Sequence, residues 1–425
     1  MSGAPIEPER PGLGVWLRRM AVDTRPLRAS RDFRRLWFGT GISAIGSQIT
    51  TVAIPYQLYQ ETGSTLLVGL LGIAALVPLL TVPLYAGAVA DAVDRRRLLL
   101  LSDVALAAVT LVLLGNALLD QPNIPLLFVA EALATAAYGF QRPARNALTP
   151  RLVGEEQLVA AIAVEDVIFN LARVAGPALA GLLIALLGIA GAYAVDLLTF
   201  GASLIAIWLL PPVAVAEGLG RPGFAAVREG LRHVRRTPVL LGIFAVDTNA
   251  MIFGMPSALF PAFAEELGGG ATLFGLMVSA PYAGALAASL VSGWASHVRR
   301  QGVGVLIAAA AWGAAVAAAG LAHSIALALA MLAVAGAADF VSAVLRSTIM
   351  IQATPDALRG RVSGIELAQV ASAPQLGNVE AGIVASLVNL RFSIVSGGIA
   401  CVVGTALIAL ALPALARYDS RRPRE

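Results

Sequence analysis

Residues 65–97 read TLLVGLLGIAALVPLLTVPLYAGAVADAVDRRR. The first 26 of these residues carry no charge, and about twenty apolar residues suffice to cross the ~30 Å hydrocarbon layer of a membrane as a helix. Charges then appear together, at Asp91, Asp94 and three consecutive arginines. This pattern indicates a membrane helix that ends at an aqueous surface.

The composition extends this conclusion to the whole chain. Of its 425 residues 58% are hydrophobic and only 13% are charged, which is more apolar surface than a water-soluble core can bury. The pattern predicts an all-α membrane protein with twelve transmembrane helices. The predicted spans are approximately residues 36–60, 65–90, 97–118, 124–146, 157–185, 188–210, 239–263, 272–295, 302–321, 324–346, 362–388 and 392–415.

The two halves of the chain repeat each other at an offset of about 206 residues. Pairs that share this offset are Pro55 and Pro261, Leu67 and Leu273, Gly69 and Gly275, Gly87 and Gly293, and Gly176 and Gly382. A repeat that runs from the first span to the eleventh predicts two pseudo-symmetric six-helix bundles. In membrane proteins with such repeats the substrate site lies between the halves.

One polar segment separates the six spans of each half. We expect a cytoplasmic arm (residues 1–32), a first bundle (33–210), a cytoplasmic linker (211–238), a second bundle (239–416) and a cytoplasmic tail (417–425). Residues 224–236 suit a short amphipathic helix on the membrane surface, with Arg228, Arg232, Arg235 and Arg236 toward lipid headgroups. A solvated basic segment is the alternative.

The arginines predict the orientation. Eight precede the first span, and further groups follow the second, fourth and eighth spans and occupy the central linker. Arg346, Arg359 and Arg361 are assigned to the loop after the tenth span. On this assignment only Arg391 falls on the opposite side, and only Arg173 falls within a span. Positive residues near span ends stay cytoplasmic. We therefore expect a multi-pass protein of the plasma (inner) membrane with both termini in the cytoplasm.

The residue content argues against an enzyme. All thirty basic residues are arginines, so neither a phosphate-binding P-loop lysine nor a Schiff-base lysine exists. The GxGxxG string at residues 218–223 follows a helix end and contains a proline, and is interpreted as linker. The single cysteine and three dispersed histidines predict no metal site. We expect no cofactor and no nucleic-acid partner.

The string from Gly87 to Arg97 resembles the signature G-x-x-x-D-R-x-G-R-R of the major facilitator superfamily. It departs from the signature at Ala92, where arginine is usual, and at Asp94, where glycine is usual. The resemblance implies a gate at the cytoplasmic mouth, formed by Gly87, Asp91, Arg95, Arg96 and Arg97. Glycine allows close helix approach, and a charge cluster can form and break as the halves move.

A second motif lies in the fifth span. Gly176, Pro177 and Gly181 resemble the G-P-x-x-G-G motif of facilitator-family antiporters, with Ala180 in place of one glycine. We expect a kinked, closely packed segment there.

The stretches 45–55, 141–150 and 376–382 are similar to the enterobactin-exporter-like branch of multidrug and siderophore efflux proteins, and the similarity covers residues 30–415.

Charged and polar residues inside spans are the candidates for a central cavity, because each is costly in a bilayer and usually faces a cavity or a partner. Asp166, Asn170 and Arg173 share one face of the fifth span with Pro177. Glu131, Asp247 and Glu380 are the other candidates. Asp103 is interpreted as structural, whereas Asp196 and Asp339 suit either helix packing or proton binding.

These features predict a secondary active exporter that works by alternating access. Its cargo is expected to be an amphiphilic small molecule, a siderophore or drug, exchanged for protons. The expected partners are that substrate, protons and membrane lipids, and the protein is expected to be a monomer. An importer, a lipid flippase or a non-transporting membrane sensor of the same fold are the alternatives.

Overall fold

The computed structural model describes residues 23–211 and 224–419, and their regular structure is helical. The N-terminal arm up to residue 22, the string 218–223 and residues 420–425 lie outside these ranges. The long helices are α1 (Arg31–Thr62), α2 (Thr65–Ala92), α3 (Arg95–Ala117), α4 (Ile124–Leu152), α5 (158–187), α6 (189–208), α7 (Pro238–Phe253), α8 (Gly270–Leu290), α9 (Gln301–Gly320), α10 (Ile325–Ala353), α11 (Asp356–Leu387) and α12 (Leu390–Ala411).

Among the described residues, nine helices are long and apolar enough to cross a membrane. One of them covers Glu155–Trp208 and is 54 residues long; it folds back at Gly188, whose φ of 72° only glycine adopts easily, and so contains both α5 and α6. The helices α1 and α11 have 32 residues each and begin with charged turns, which lowers their apolar character. With these two and the division at Gly188, the described residues contain twelve long helices, a number consistent with the twelve predicted spans.

Two predicted spans are too short. We expected the fourth and tenth spans to end at residues 146 and 346, but α4 continues to Leu152 and α10 to Ala353. Arg346, which was assigned to a loop beyond the tenth span, therefore lies within α10. That assignment was wrong, because a lone arginine near the end of an apolar run looks the same whether it meets water or a buried carboxylate.

The seventh span is interrupted. After α7 the chain forms a turn at Ser257–Leu259 and a short helix at Phe260–Glu266. Pro256 precedes the turn with φ −81° and ψ 42°, and a proline cannot donate the hydrogen bond that would continue α7. The predicted continuous span 239–263 is therefore two helical pieces around a break.

The two halves approach each other through two helix pairs, α2 with α11 and α5 with α8. Glycines line both contacts. A Cβ added to Gly181 would lie 3.0 Å from the Cα of Gly275, and one added to Gly382 would lie 3.3 Å from the Cα of Gly69. Such distances leave no room for side chains, so the backbones are in direct van der Waals contact. Gly69 and Gly275 are also repeat partners, which relates the two contacts by the pseudo-symmetry.

Both glycine contacts lie at the same end of the molecule. We call the end where α1 and α3 begin, with Arg31 and Arg95, the basic end. The opposite end, where α1 ends and α2 begins, is the far end. The contacts involve the first turns of α2 and α8, so the halves meet at the far end.

The linker forms an amphipathic helix, Phe224–Arg236, as predicted. Val234 is buried, and Glu229 makes an ion pair of 2.5 Å with Arg361 at the start of α11. Arg228, Arg232, Arg235 and Arg236 are exposed. The helix is thus docked on the second half, and its arginines remain available to solvent or lipid.

Two buried acids hold the helices of the first half together. Asp196 in α6 is 0% exposed and accepts hydrogen bonds from Thr50 of α1 at 2.5 Å and Thr110 of α3 at 3.4 Å. Asp103 in α3 accepts from Gln141 of α4 at 2.7 Å and Ser203 of α6 at 2.6 Å. Asp196, for which the sequence left two interpretations open, is thus engaged in helix packing.

We predict that Asp196→Ala lowers the thermal stability of the purified protein. The substitution leaves the buried threonine hydroxyls without their acceptor, and an unsatisfied buried group costs about 1–3 kcal/mol. Thermal unfolding in detergent micelles measures the effect. Asp196→Asn, which keeps one acceptor oxygen, is the matched control and loses less stability. An unchanged melting temperature for the alanine variant would show that these hydrogen bonds do not stabilise the bundle.

Candidate functional site

A cavity of about 370 Å³ lies between the two halves. Its lining comes from α1, α2 and α4 of the first half and from α7 to α11 of the second. Most of the lining is apolar, with the rings of Phe274, Tyr282 and Trp312 among it. A largely apolar cavity with a few polar groups is the usual form of a small-molecule site.

The break in the seventh span lies at this cavity. Gly254, Met255 and Pro256 line it, and the freed groups of the following turn are bonded by Asn378 of α11. Its Oδ1 accepts from the Ser257 hydroxyl at 2.7 Å and from the Ala258 amide at 3.0 Å. Interrupted helices are tolerated at membrane depth where they line a cavity, and they are common at substrate sites of transporters.

The cavity contains one carboxyl group from each half. Glu131 of α4 lies about 10 Å from the far-end start of its helix, and Asp339 of α10 about 21 Å from the start of its own. The Asp339 side chain is 39% exposed. The helices α4 and α10 correspond in the repeat, so the two acids lie on pseudo-symmetric elements. No lining residue in the described part of the chain is basic.

Asp247 lies beside the cavity lining and not in it. It is 4% exposed and forms an ion pair with Arg346 of α10. Gln369 of α11 donates to its Oδ2 at 3.1 Å. The nearest Arg346 nitrogen is 3.9 Å from Asp339, because residues 339 and 346 are two turns apart on one face of α10. This spacing was the sequence signal that could have identified Arg346 as a membrane residue.

The predicted stripe on α5 faces the second half. Gly181 packs against α8, and Pro177 lies one turn below it with its carbonyl oxygen against Gly275. Asp166, Asn170 and Arg173 continue the stripe toward the basic end and are exposed. They therefore face the cleft between α5 and α8, below the glycine contact.

The segment around Pro177 is closely packed and its backbone stays helical. Between residues 158 and 208 the non-helical dihedrals occur at Gly188. Gly176 faces α1, where an added Cβ would lie 2.6 Å from the Cγ of Gln48. The motif thus packs against its own half through Gly176 and against the other half through Gly181.

Glu380 is not brought to the cavity by the described structure. It is half-buried on α11, three residues after Gly377, whose added Cβ would lie 2.5 Å from the Met251 carbonyl oxygen. Glu380 therefore shares the side of α11 that faces α7. It is absent from the cavity lining among the described residues.

The gate motif spans the basic-end connection of α2 and α3. Gly87 and Asp91 belong to the last turns of α2. Asp94 caps α3, its Oδ1 accepting from the amides of Arg96 at 2.8 Å and Arg97 at 3.2 Å. Aspartate is a preferred N-cap residue, which gives a structural reason for the departure from the family signature at this position.

Two arginines of the motif bond to helix ends of their own half. Arg95 is buried and donates to the Ala147 carbonyl of α4 at 3.4 Å. Arg96 donates to the carbonyls of Ile207, at 3.1 Å, and Trp208 at the end of α6. Cations at helix C-termini interact favourably with the helix dipole. Arg97 is exposed.

Sequence reasoning missed the polar contact at the far end. Glu265 of the second half accepts hydrogen bonds from Tyr56 and Gln60 of α1, both at 2.8 Å. The Tyr56 ring also stacks on Phe274, with centroids 5.9 Å apart. We call Tyr56, Gln60 and Glu265 the far-end latch. The partners are more than two hundred residues apart, and no local pattern relates them.

No group of three or more His, Cys, Asp or Glu residues is arranged to hold a metal ion in residues 23–211 and 224–419. The described site therefore consists of the cavity, its two acids and the cleft below it. Its parts suit the binding of a small molecule between the two halves.

The chain belongs to the transmembrane secretion effector family of the major facilitator superfamily, whose family model matches residues 23–424. It is 29% identical to the multidrug efflux pump Tap of Mycolicibacterium fortuitum over 400 residues, which cover 90% of this chain and 96% of that protein. It is 26% identical to the enterobactin exporter EntS of Shigella boydii serotype 4 over 413 residues, covering 96% and 97%.

Solved transporter structures share the fold. The nucleoside transporter NupG superposes with a TM-score of 0.70 at 14% identity, covering 91% of this chain and 100% of that one. A bacterial homologue of the iron transporter ferroportin in an inward-facing state gives a TM-score of 0.67 at 14% identity, covering 91% and 99%. The protein is accordingly a multi-pass membrane transporter with the major facilitator fold, and not an enzyme.

We predict that the pair Asp247 and Arg346 behaves as a unit in stability measurements. Arg346→Gln leaves a buried carboxylate unpaired, which costs about 3–5 kcal/mol. The double variant Asp247→Asn with Arg346→Gln recovers most of the loss, and thermal unfolding of the purified protein measures both. Asp339→Asn is the control, since its contact with Arg346 is 3.9 Å and its effect is small. Additive losses in the double variant would contradict the pairing.

Proposed function

We propose that this protein is a secondary active exporter that moves an amphiphilic small molecule, a drug or siderophore, out of the cell by alternating access. The observation that carries the proposal is the cavity between two pseudo-symmetric halves, which meet at the far end through the glycine contacts and the far-end latch. A site at such an interface is exposed to one side or the other as the halves rock.

The arginines support an orientation for this state. By the positive-inside rule the basic end faces the cytoplasm and both termini lie there. The closed far end then faces outward, and the exposed stripe Asp166, Asn170 and Arg173 lines the inward-open cleft. Contacts that close the outside and leave the cytoplasmic cleft open are those of an inward-facing conformation. Asp91 and the arginines beside it would close the opposite mouth.

The relatives support the direction of transport. One similar protein is named as a multidrug efflux pump and another as an enterobactin exporter, and both align along nearly their whole lengths. Both halves of the proposed site belong to one chain, so a monomer suffices. Membrane lipids surround the helices and meet the exposed arginines of the linker helix.

Proton exchange is the proposed energy source. One proton that crosses the membrane releases about 2.3 kcal/mol per 100 mV. Among the acids predicted for the central cavity, Asp166 faces the cleft and Glu131 the cavity, where a change of access state exchanges one aqueous side for the other. Asp247 is held by Arg346 and Glu380 faces α7, so these two would transfer protons only if the helices rearranged. Of these four acids, Glu131 and Asp166 are therefore the preferred carriers, and Asp339, which lines the cavity with Glu131, is a third.

The proposed function is tested with purified protein in liposomes under an imposed pH gradient. Amphiphilic antibiotics, dyes and siderophores form the panel. We predict that at least one compound accumulates against its gradient and that an uncoupler abolishes this. Asp91→Asn should slow transport with little change in the half-saturating substrate concentration, because the residue lies at the mouth. If no compound moves, or if the uncoupler has no effect, the proton-driven exporter is wrong.

The far-end latch generates a separate prediction. Glu265→Ala removes two hydrogen bonds between the halves and should shift the access equilibrium outward by about three- to tenfold. A cysteine introduced at Val68, in the cavity lining, reports the shift by its rate of modification with an impermeant maleimide added outside. Glu266→Ala is the matched control, because Glu266 pairs with Arg391 of its own half at 2.5 Å. Equal rates in both variants would exclude the latch as a gate.

A further inference from the structure

The cavity is lined by acidic side chains. Glu131 and Asp339 line it from opposite halves, and no described lining residue is basic. Arg346, a cation beside the cavity lining, is shared between Asp247, which it contacts directly, and Asp339, at 3.9 Å. When ionised, the group of Asp247, Arg346 and Asp339 carries one net negative charge, and Glu131 adds a second.

The rest of the lining suits an apolar body that carries a positive charge. Phe274, Tyr282 and Trp312 present aromatic rings, and Gln375 adds an amide. Aromatic faces attract cations within about 6 Å of the ring centroid, and the attraction strengthens when water is excluded. An anion in the same space would meet two carboxylates in a low-dielectric environment and no positive group in the described lining.

We propose that the cavity selects a lipophilic organic cation, whose charge is held between Glu131 and Asp339 and whose apolar body packs on the rings of Phe274, Tyr282 and Trp312. Acidic siderophores such as catecholates are excluded by the same two carboxylates. This inference rests on the proposed function, because it assigns the substrate class of that site. Such a substrate would make this chain resemble its multidrug efflux relative more than its enterobactin-exporting relative.

The position of the two acids connects binding to the movement of the halves. A cation held between Glu131 of the first half and Asp339 of the second is attracted to both and draws the halves together around it. A proton that binds either carboxyl group removes its charge and weakens the cation's hold. Substrate cation and proton thus compete for the same two groups, which is the requirement for their exchange.

Other charged or titratable groups face the two acids. Tyr138 of α4 and Tyr193 of α6 interact electrostatically with Glu131. Asp339 interacts with Arg346, which also faces Asp247 of α7 and Glu366 of α11. If Glu131 and Asp339 cause the pH dependence of cation binding, that dependence must disappear when both are replaced by neutral residues. It must persist when Glu366 is replaced by a neutral residue.

The test compares tetraphenylphosphonium with tetraphenylborate, which have nearly the same shape and opposite charge. Each is titrated separately into the purified full-length protein in lipid nanodiscs, with empty nanodiscs as the blank, by isothermal titration calorimetry. The wild type is expected to bind the cation saturably and the anion no more than empty nanodiscs do. Glu131→Gln and Asp339→Asn should each weaken cation binding about tenfold or more, since each removes one full charge from the site.

Asp356→Asn is the matched control. It removes an acid at the exposed start of α11, where the side chain is 87% exposed and paired with Arg359, and should leave cation binding unchanged. Thermal unfolding verifies that each variant is folded. If a cavity variant fails to fold, the pH dependence of cation binding tests the inference instead. The cation affinity of the wild type must fall as the pH is lowered, and the Glu366→Gln variant must show the same fall.

Saturable binding of tetraphenylborate or of a catecholate siderophore at equal or higher affinity overturns the inference. So does tetraphenylphosphonium binding that is unaffected by both cavity substitutions or by pH. These outcomes are separable from failure of the proposed function. Proton-driven transport of a non-cationic compound would support the proposed exporter and refute only the cation site. Cation binding that depends on the two acids, without any transport, would support the cation site and refute the exporter.

Discussion

Backbone contact between glycines is the interaction on which the arrangement of the two halves depends. Gly181 meets Gly275, and Gly69 meets Gly382, so closely that none of these positions has room for a side chain. Contacts of this kind gain dispersion energy over a large area and involve no buried charge, so they can separate and re-form without leaving a charge unpaired in the membrane. The polar far-end latch lies beyond them, where water can replace its hydrogen bonds. The interface therefore combines a close fit with contacts that carry no charge, which suits the proposed alternating access.

The charged residues within the helices fall into two groups with different physical roles. Asp103, Asp196 and the pair of Asp247 with Arg346 are nearly inaccessible and have their hydrogen bonds satisfied by neighbouring helices. A group so enclosed is costly to move, and it holds its own half together as a rigid body. Glu131 and Asp339 line the cavity between the halves, and the α5 stripe is exposed in the cleft below it. The enclosed charges thus stabilise each half internally, whereas the accessible charges lie between the two halves.

Periodicity and the repeat predict most of the fold. Long apolar runs indicate membrane helices whatever their partners, and the repeat partners Gly69 and Gly275 are both found at the contacts between the halves. The failures concern pairs that are distant in sequence. Arg346 was assigned to a loop because the carboxylate that pairs with it is 99 positions away. The hydrogen bonds of Glu265 were not predicted, because Tyr56 and Gln60 are in the other half. Asp94 was seen only as a departure from a signature, since its role as a helix cap depends on where α3 begins. Local patterns predict helices and their faces, whereas the partner of a polar side chain depends on the assembled bundle.

The two halves have pseudo-symmetric backbones, but their buried polar side chains differ. The first half is held by carboxylates that accept from hydroxyl and amide groups, whereas the second half uses an ion pair between α7 and α10. A hydroxyl network keeps its geometry whether or not water is near, but an ion pair in a membrane depends on the exclusion of water and on every neighbouring charge. Arg346 is shared unequally between Asp247 and the cavity acid Asp339, so a cation or proton that neutralises Asp339 strengthens the hold of Asp247 on Arg346. The second half thus contains an electrostatic path from the cavity to the helix that is broken at Pro256, for which the first half has no counterpart among the described residues. If the cavity binds a cation as proposed, its occupancy acts more directly on α7 and α10 than on the helices of the first half.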